Sequence, residues 1–186
     1  AKAFLEGGLK PNTGLKVLHD AGALLRLDGQ AGFGQVIGAQ AMALGIERAR
    51  THGSCIVALG NSHHLGRIGA WAEQAAAAGL VSLHFVNVIS RPIVAPHGGG
   101  DARFGTNPFC VGMPLVGRPP VILDFATSVI AQGKTRVAHN KGVPVEPGQL
   151  IDDQGRDTTD PRYTVVPPFG ALLTFGGQHG SHKGYG

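Results

Sequence analysis

The run Asn61-Ser62-His63-His64-Leu65-Gly66-Arg67-Ile68-Gly69 sets two imidazoles and a hydroxyl between an apolar segment and an alanine-rich one. A loop that leaves a strand ahead of a helix is where α/β proteins expose reactive side chains and backbone donors. An imidazole there can exchange a proton near neutral pH, since its unperturbed pKa is about 6.5. That makes His64 or its neighbour a candidate general acid or base. The plainer reading is a loop histidine packed on Trp71.

Other stretches suggest phosphate or metal. Gly32-Phe33-Gly34-Gln35-Val36-Ile37-Gly38 follows a strand and opens a helix, the setting of a dinucleotide phosphate turn. Its spacing is looser than the usual fingerprint, and the next strand ends at Gly60-Asn61 with no carboxylate to hold a ribose. Arg67 is the nearest group that could meet a 2′-phosphate. A glycine-tolerant strand-to-helix turn accounts for the same residues. The segment from Ser128 to Gly133-Lys134-Thr135 mimics a phosphate loop, but Ser128 stands where the first glycine should be. The sequence holds 9 histidines, yet His63 and His64 are adjacent and so diverge in an extended segment. His179 and His182 lack a cysteine or carboxylate at ligand spacing. No metal is expected.

The elements that must position these groups follow from periodicity. Strands are predicted over residues 23–27, 55–59, 80–88, 109–115 and 120–125. Helices are predicted over 35–51, 69–78 and 128–139, the first closed by Gly53 and the second by Gly79. Residues 9–20 read as a loop leading to a short helical turn, and 91–108 as a structured Gly/Pro-rich loop. Residues 141–168, rich in proline and aspartate, read as a surface excursion or lobe boundary. The expected organisation is an α/β core over about 22–140, the excursion over 141–168, and the start of a return segment over 169–186. Strands and helices mingle, so the fold class is α/β with a mixed sheet and flanking helices.

Composition narrows the function further. Charged residues make up 15%, against about 25% in an average globular protein, which argues against disorder or a coiled coil. The net charge of +4 is scattered rather than clustered, and aromatics are only 6%, so a nucleic-acid platform is poorly supplied. No apolar run approaches the ~20 residues of a membrane span. Cys55 and Cys110 sit in apolar contexts and read as buried thiols, with a disulfide between them left open. No signal peptide is visible, and a cytoplasmic protein is expected. The sequence starts at Ala1 and stops at Gly186 in mid-motif, so a piece of a longer chain is expected.

Several motifs in one order carry a family likeness: Asn61-Ser62-His63-His64-Leu65-Gly66, then Val94-Ala95-Pro96 with Gly98-Gly99 and Gly105-Thr106-Asn107-Pro108, then Leu123-Asp124-Phe125-Ala126-Thr127-Ser128, then Thr158-Thr159-Asp160-Pro161, then His182-Lys183-Gly184-Tyr185-Gly186. With Gly32–Gly38 in its place, the chain resembles the malate/L-lactate dehydrogenase-like oxidoreductases along its whole length. Asp101-Ala102-Arg103-Phe104 and Ala131-Gln132-Gly133-Lys134 look most like their hydroxycarboxylate dehydrogenase B branch.

The resemblance implies a non-Rossmann α/β fold that binds NAD or NADP, with residues 22–140 as the cofactor-binding core. It implies hydride transfer to or from a small 2-hydroxy or 2-oxo acid such as malate or lactate, in a homodimer, without nucleic acid or membrane. Carried over by residue, His64 would be the proton acceptor or donor; His64, Leu65, Gly66 and Ser90 would approach the cofactor. Asp124, Phe125, Ala126, Thr127 and Ser128 would line it, and Lys183 would meet its phosphates. A Ser-His-Gly element with a substrate-binding arginine, usual in the family, is not found, and Lys134 stands where one branch has a carboxylate. The alternative is a catalytically incomplete fragment that binds a dinucleotide or anion.

Overall fold

The longest element, helix α2 (Gly34–His52), buries Gly34, Ile37, Gly38, Ala41 and Gly45, a stripe at three- and four-residue steps. Gly53 ends it in the left-handed conformation at φ 83°, its N–H returning to the Ala49 carbonyl at 2.8 Å. Only a residue without Cβ adopts that cap at no steric cost. In the computed structural model, residues 2–176 are described.

By its contacts the chain divides into two units. One takes residues up to Leu83 together with Val111–Leu123; the other takes His84–Cys110 and the residues from Asp124 onward. After a short helix α1 (Lys2–Leu5), the first unit builds a mixed sheet, ordered β1 (Lys16–Asp20), β2 (Leu24–Asp28), β3 (Ile56–Gly60). β2 and β3 run parallel with α2 as their crossover, and β1 pairs antiparallel to β2. Leu25 and Leu27 point at α2 and pack with Ala41, Leu44, Val57 and Leu59. Burying each of those two leucines contributes about 1.5–3 kcal/mol. Helix α3 (Gly69–Ala77) buries Ala72, Ala75 and Ala76. Its small side chains admit another backbone: a Cβ at Gly112 would lie 2.9 Å from Ala72 Cβ.

β1 corrects the expectation of a loop and helical turn over 9–20. All five of its side chains are exposed, so it has no apolar alternation to read. Its backbone bonds to β2 hold it, with an irregularity between Val17 and His19.

A second sheet is ordered β4 (Ser82–Phe85), β5 (Phe109–Leu115), β6 (Arg118–Phe125). β4 is shorter than the expected 80–88, because beyond it the Val88 N–H turns to the Asn107 side-chain oxygen at 2.9 Å. Between β4 and β5 the chain forms only isolated bridges, as a structured loop should.

Helix α4 (Gln132–Lys141) starts four residues later than predicted. Residues 128–131 are not helical: Ser128 bridges to Thr174, the chain bends at Val129 and Ile130 with the Val129 N–H donating to the Leu173 carbonyl, and Ala131 has ψ 137°. Residues 141–168 also hold more than an excursion. They supply β7 (Leu150–Ile151), β8 (Asp157–Thr158) and a 3-10 turn (Pro161–Thr164), and β7 lies between β8 and β9 (Ala171–Leu172). Leu150 and Leu172 are fully buried with Ile93 and Val94, the core of the second unit. Both cysteines are free thiols.

Candidate functional site

The histidine loop is held from several sides within the first unit. The Ala31 N–H donates to the Asn61 carbonyl at 2.7 Å, and Asn61 takes a left-handed backbone at φ 51°. Its side-chain N–H donates to Asp28 Oδ1 at 2.9 Å, beside the Gln30 N–H at 2.7 Å. Those bonds, the backbone one foremost, hold the Asp28 carboxyl below its ordinary pKa. The His63 N–H donates to the Gly32 carbonyl at 3.1 Å, and the Ser62 hydroxyl to the His63 carbonyl at 2.9 Å.

The glycines of the 32–38 turn now acquire a reason. A Cβ on Gly34 would fall on the His64 carbonyl, and one on Gly38 would lie 2.7 Å from the Trp71 ring. The turn read as a possible phosphate cradle therefore seats the histidine loop and the α3 tryptophan. Trp71 packs on Gly38. Arg67, the candidate for a 2′-phosphate, is paired with Glu73 at 2.6 Å, and that hydrogen bond lowers the Glu73 pKa.

His64 itself is exposed, and its Nδ1 accepts the Gly66 N–H at 3.0 Å. Gly66 has φ 76°, a backbone that favours glycine and turns its N–H back toward the ring. Nε2 of His64 and the Leu65 N–H have no hydrogen-bond partner among the described residues.

Ser90 and residues 124–128 lie in the second unit. Thr127 is buried; its N–H donates to the Thr106 carbonyl at 3.0 Å and its hydroxyl to Asn107 and Thr106 carbonyls at 3.0 and 3.2 Å. The Ser128 hydroxyl donates to the Ile130 carbonyl at 2.9 Å. The protons of both hydroxyls are thus directed into the protein, and a hydroxyl has one to give. By contrast the Thr174 hydroxyl, in a residue 2% exposed, has no partner among the described residues, directly across the bridge from Ser128. Lys183 lies outside the described residues.

Sequence reading missed an aromatic row. Phe85, Phe109, Phe125 and Phe175 stand ring to ring at 5.3, 5.8 and 5.3 Å. Each pair contributes about 0.5–1.5 kcal/mol beyond burial. The residues are far apart in sequence, and only the strand order brings them together. Arg91 is held on the Phe169 ring at 3.8 Å. Among the described residues no three metal-ligating side chains cluster, and no helix is long and apolar enough to cross a membrane.

His84 on β4 is half-buried, and burial pushes its pKa down while the Asp124 charge pulls it up, the first effect winning. A depressed folded pKa means that the unfolded chain binds the proton more tightly. Its contribution to stability is present above about pH 6.5 and is lost as pH falls through the folded value. Thermal midpoints should therefore drop below pH 6.5 in the wild type and drop less in His84→Gln. Equal slopes would contradict this.

The family described as malate/L-lactate dehydrogenase matches residues 1–186. The chain is 56% identical over 184 residues to hydroxycarboxylate dehydrogenase B of Escherichia coli strain K12, covering 99% of this chain and 50% of that protein. It is 50% identical over 187 residues to an L-lactate dehydrogenase of Cupriavidus necator, covering 99% and 52%. The crystal structure of a malate dehydrogenase from Entamoeba histolytica superposes with a TM-score of 0.89 at 29% identity, covering 99% of this chain and 52% of that one. The chain spans about half the length of the curated relatives it matches.

Proposed function

The chain belongs to the malate/L-lactate dehydrogenase family, and from that membership we propose an oxidoreductase that moves a hydride between NAD or NADP and a small 2-hydroxy or 2-oxo carboxylic acid. The single observation that carries the reading is the 56% identity to hydroxycarboxylate dehydrogenase B along 99% of the chain. When bound, the nicotinamide supplies or takes up the hydride at the substrate α-carbon while the α-oxygen gains or loses a proton.

The residues present fit a polar dinucleotide. Among the described residues, the buried Thr174 hydroxyl beside Ser128 has no partner in the second unit, and in the first unit Nε2 of His64 and the Leu65 N–H have none either. A ligand rich in phosphate and amide oxygens satisfies such donors. In this reading His64, Leu65, Gly66 and Ser90 approach the cofactor, and Asp124, Phe125, Ala126, Thr127 and Ser128 line it. Thr127 and Ser128 contribute backbone shape rather than hydroxyl protons. Lys183 adds a compact positive charge for the pyrophosphate. A cytoplasmic homodimer completes the reading; exposed apolar side chains such as Ile56, Leu83 and Phe85 give it surface to bury.

Consumption of reduced nicotinamide should be measured on the purified protein with pyruvate, oxaloacetate and hydroxypyruvate in turn, with NADH and NADPH. Turnover of at least one 2-oxo acid is expected. Binding of the reduced dinucleotide with no turnover on any 2-oxo acid would favour an incomplete binding fragment, and neither binding nor turnover would sink the proposal.

A further inference from the structure

Three non-glycine residues with a left-handed backbone meet at one place in the first unit. Gln30 (φ 52°) and Ala31 (φ 55°) follow β2, and Asn61 (φ 51°) follows β3. The two strands are parallel neighbours, with Asp28 level with Gly60, so the turn toward α2 and the histidine loop leave the sheet side by side. The two segments touch closely: a Cβ on Gly29 would lie 3.0 Å from the Asn61 carbonyl oxygen. A left-handed backbone is unfavourable for L-residues, least so for asparagine, and it persists only where the surroundings hold it.

Those surroundings can be named. The Gly29 N–H donates to the Gly60 carbonyl at 2.9 Å and the Ala31 N–H to the Asn61 carbonyl at 2.7 Å. The side chain that reaches both strained stretches is Asp28. Its Oδ1 receives the Gln30 N–H at 2.7 Å and the Asn61 side-chain N–H at 2.9 Å. We propose that Asp28 is a positioning residue of the candidate site, clamping the turn at Gln30–Ala31 to Asn61 and so setting the path of the loop that carries His64, Leu65 and Gly66. What the loop meets rests on the proposed dehydrogenase reading; the clamp itself does not.

Both bonds end on a carboxylate and are charge-assisted, stronger than their neutral counterparts. They favour the ionised form, in keeping with the lowered Asp28 pKa, so the clamp is closed at neutral pH. Asp28 is only half-buried and stands outside the Leu25–Leu27–Ala41 core. Its removal therefore frees the exit of the histidine loop while leaving the packing of β2 on α2 in place. Beyond Asn61 the next backbone tie of the loop is the His63 N–H to the Gly32 carbonyl, which then carries the strain by itself.

Residue-resolved hydrogen exchange on the protein without ligand tests the clamp. In Asp28→Ala the Ala31 and His63 amides should exchange about tenfold faster or more, the order of one charge-assisted bond, while the Ala41 amide in α2 stays within about threefold. Equal acceleration at all three amides, or none at Ala31 and His63, would overturn the proposal. Asn61→Asp, which sets a second carboxylate against the first on a backbone that aspartate tolerates, should loosen the same two amides. Combining it with Asp28→Asn restores a donor–acceptor pair with the roles exchanged, and should recover protection to within about threefold. Failure of the exchanged pair to recover would mean that the two side chains act separately, against the clamp.

Fluorescence titration with NADH reads the positioning. Asn61→Asp should lose about tenfold in affinity and the exchanged pair should regain most of it. Wild-type affinity in a variant with accelerated exchange would show that the clamp does not set the site. Absence of NADH binding in the wild type would count against the dehydrogenase reading, and the exchange rates then decide the clamp by themselves.

Discussion

Replacing Gly34 with alanine is expected to dislodge the histidine loop and to cost about 1–3 kcal/mol of stability, the usual range for overpacking. The added methyl would fall on the His64 carbonyl and close to the His63 carbonyl. Both are backbone atoms, and the His63 N–H already ties that stretch to the Gly32 carbonyl at 3.1 Å. Unlike the far end of a flexible side chain, this neighbour has nowhere to go. The effect should appear twice: as a lower denaturant midpoint, and as about a tenfold or larger loss of reduced-dinucleotide affinity, because His64, Leu65 and Gly66 move together. Gly133→Ala is the control. It lies in α4, where a Cβ meets nothing within 4 Å, so the substitution should be neutral or stabilise by about 0.5–1 kcal/mol. Wild-type stability and affinity in Gly34→Ala would mean that the turn does not seat the loop.

Leu172→Ala should be costlier for the fold, about 2–5 kcal/mol. Leu172 is fully buried against Ile93, Val94 and Leu150, and its backbone bonds the Ile93 carbonyl and the Ala95 N–H. The same short strand leads into Leu173, which accepts the Val129 N–H, and Thr174, which bridges to Ser128. A cavity at Leu172 should therefore loosen the segment proposed to line the cofactor. Hydrogen exchange at Val129 and Phe175, whose N–H donates to the Thr127 carbonyl, should speed up along with the fall in midpoint. Destabilisation without faster exchange at those two amides would break the link between this core and residues 124–128.

Much of the first unit was legible in the sequence because its signals are local. Apolar residues at helical steps and a left-handed Gly53 mark α2 to within a residue or so at each end, and Gly79 marks the end of α3. β1 was not legible. Its exposed Lys-Val-Leu-His-Asp has no buried face, and only its partner strand makes it a strand. The start of α4 was misplaced for a related reason. Residues 128–131 have helical composition, but the Val129 N–H finds its acceptor in Leu173, more than forty positions away. Local propensity loses to a tertiary hydrogen bond there.

The candidate site divides in the same manner. The motif containing His64 could be read, and so could the family resemblance, which the 56% identity to a hydroxycarboxylate dehydrogenase bears out. What the glycines of the 32–38 turn do could not be read, because a missing side chain shows its purpose only when something else fills the space. Nor could the direction of the Thr127 and Ser128 hydroxyls, which turn to carbonyls supplied by Thr106, Asn107 and Ile130.

An amide-resolved NMR titration of the isotope-labelled protein with NADH addresses the cofactor assignment most directly. Shifts should concentrate at His64, Leu65 and Gly66 and at residues 124–128, saturating together with one apparent affinity. An equal concentration of inorganic phosphate should not reproduce the pattern. Saturating shifts that leave both segments untouched would contradict the assignment of these residues to the dinucleotide.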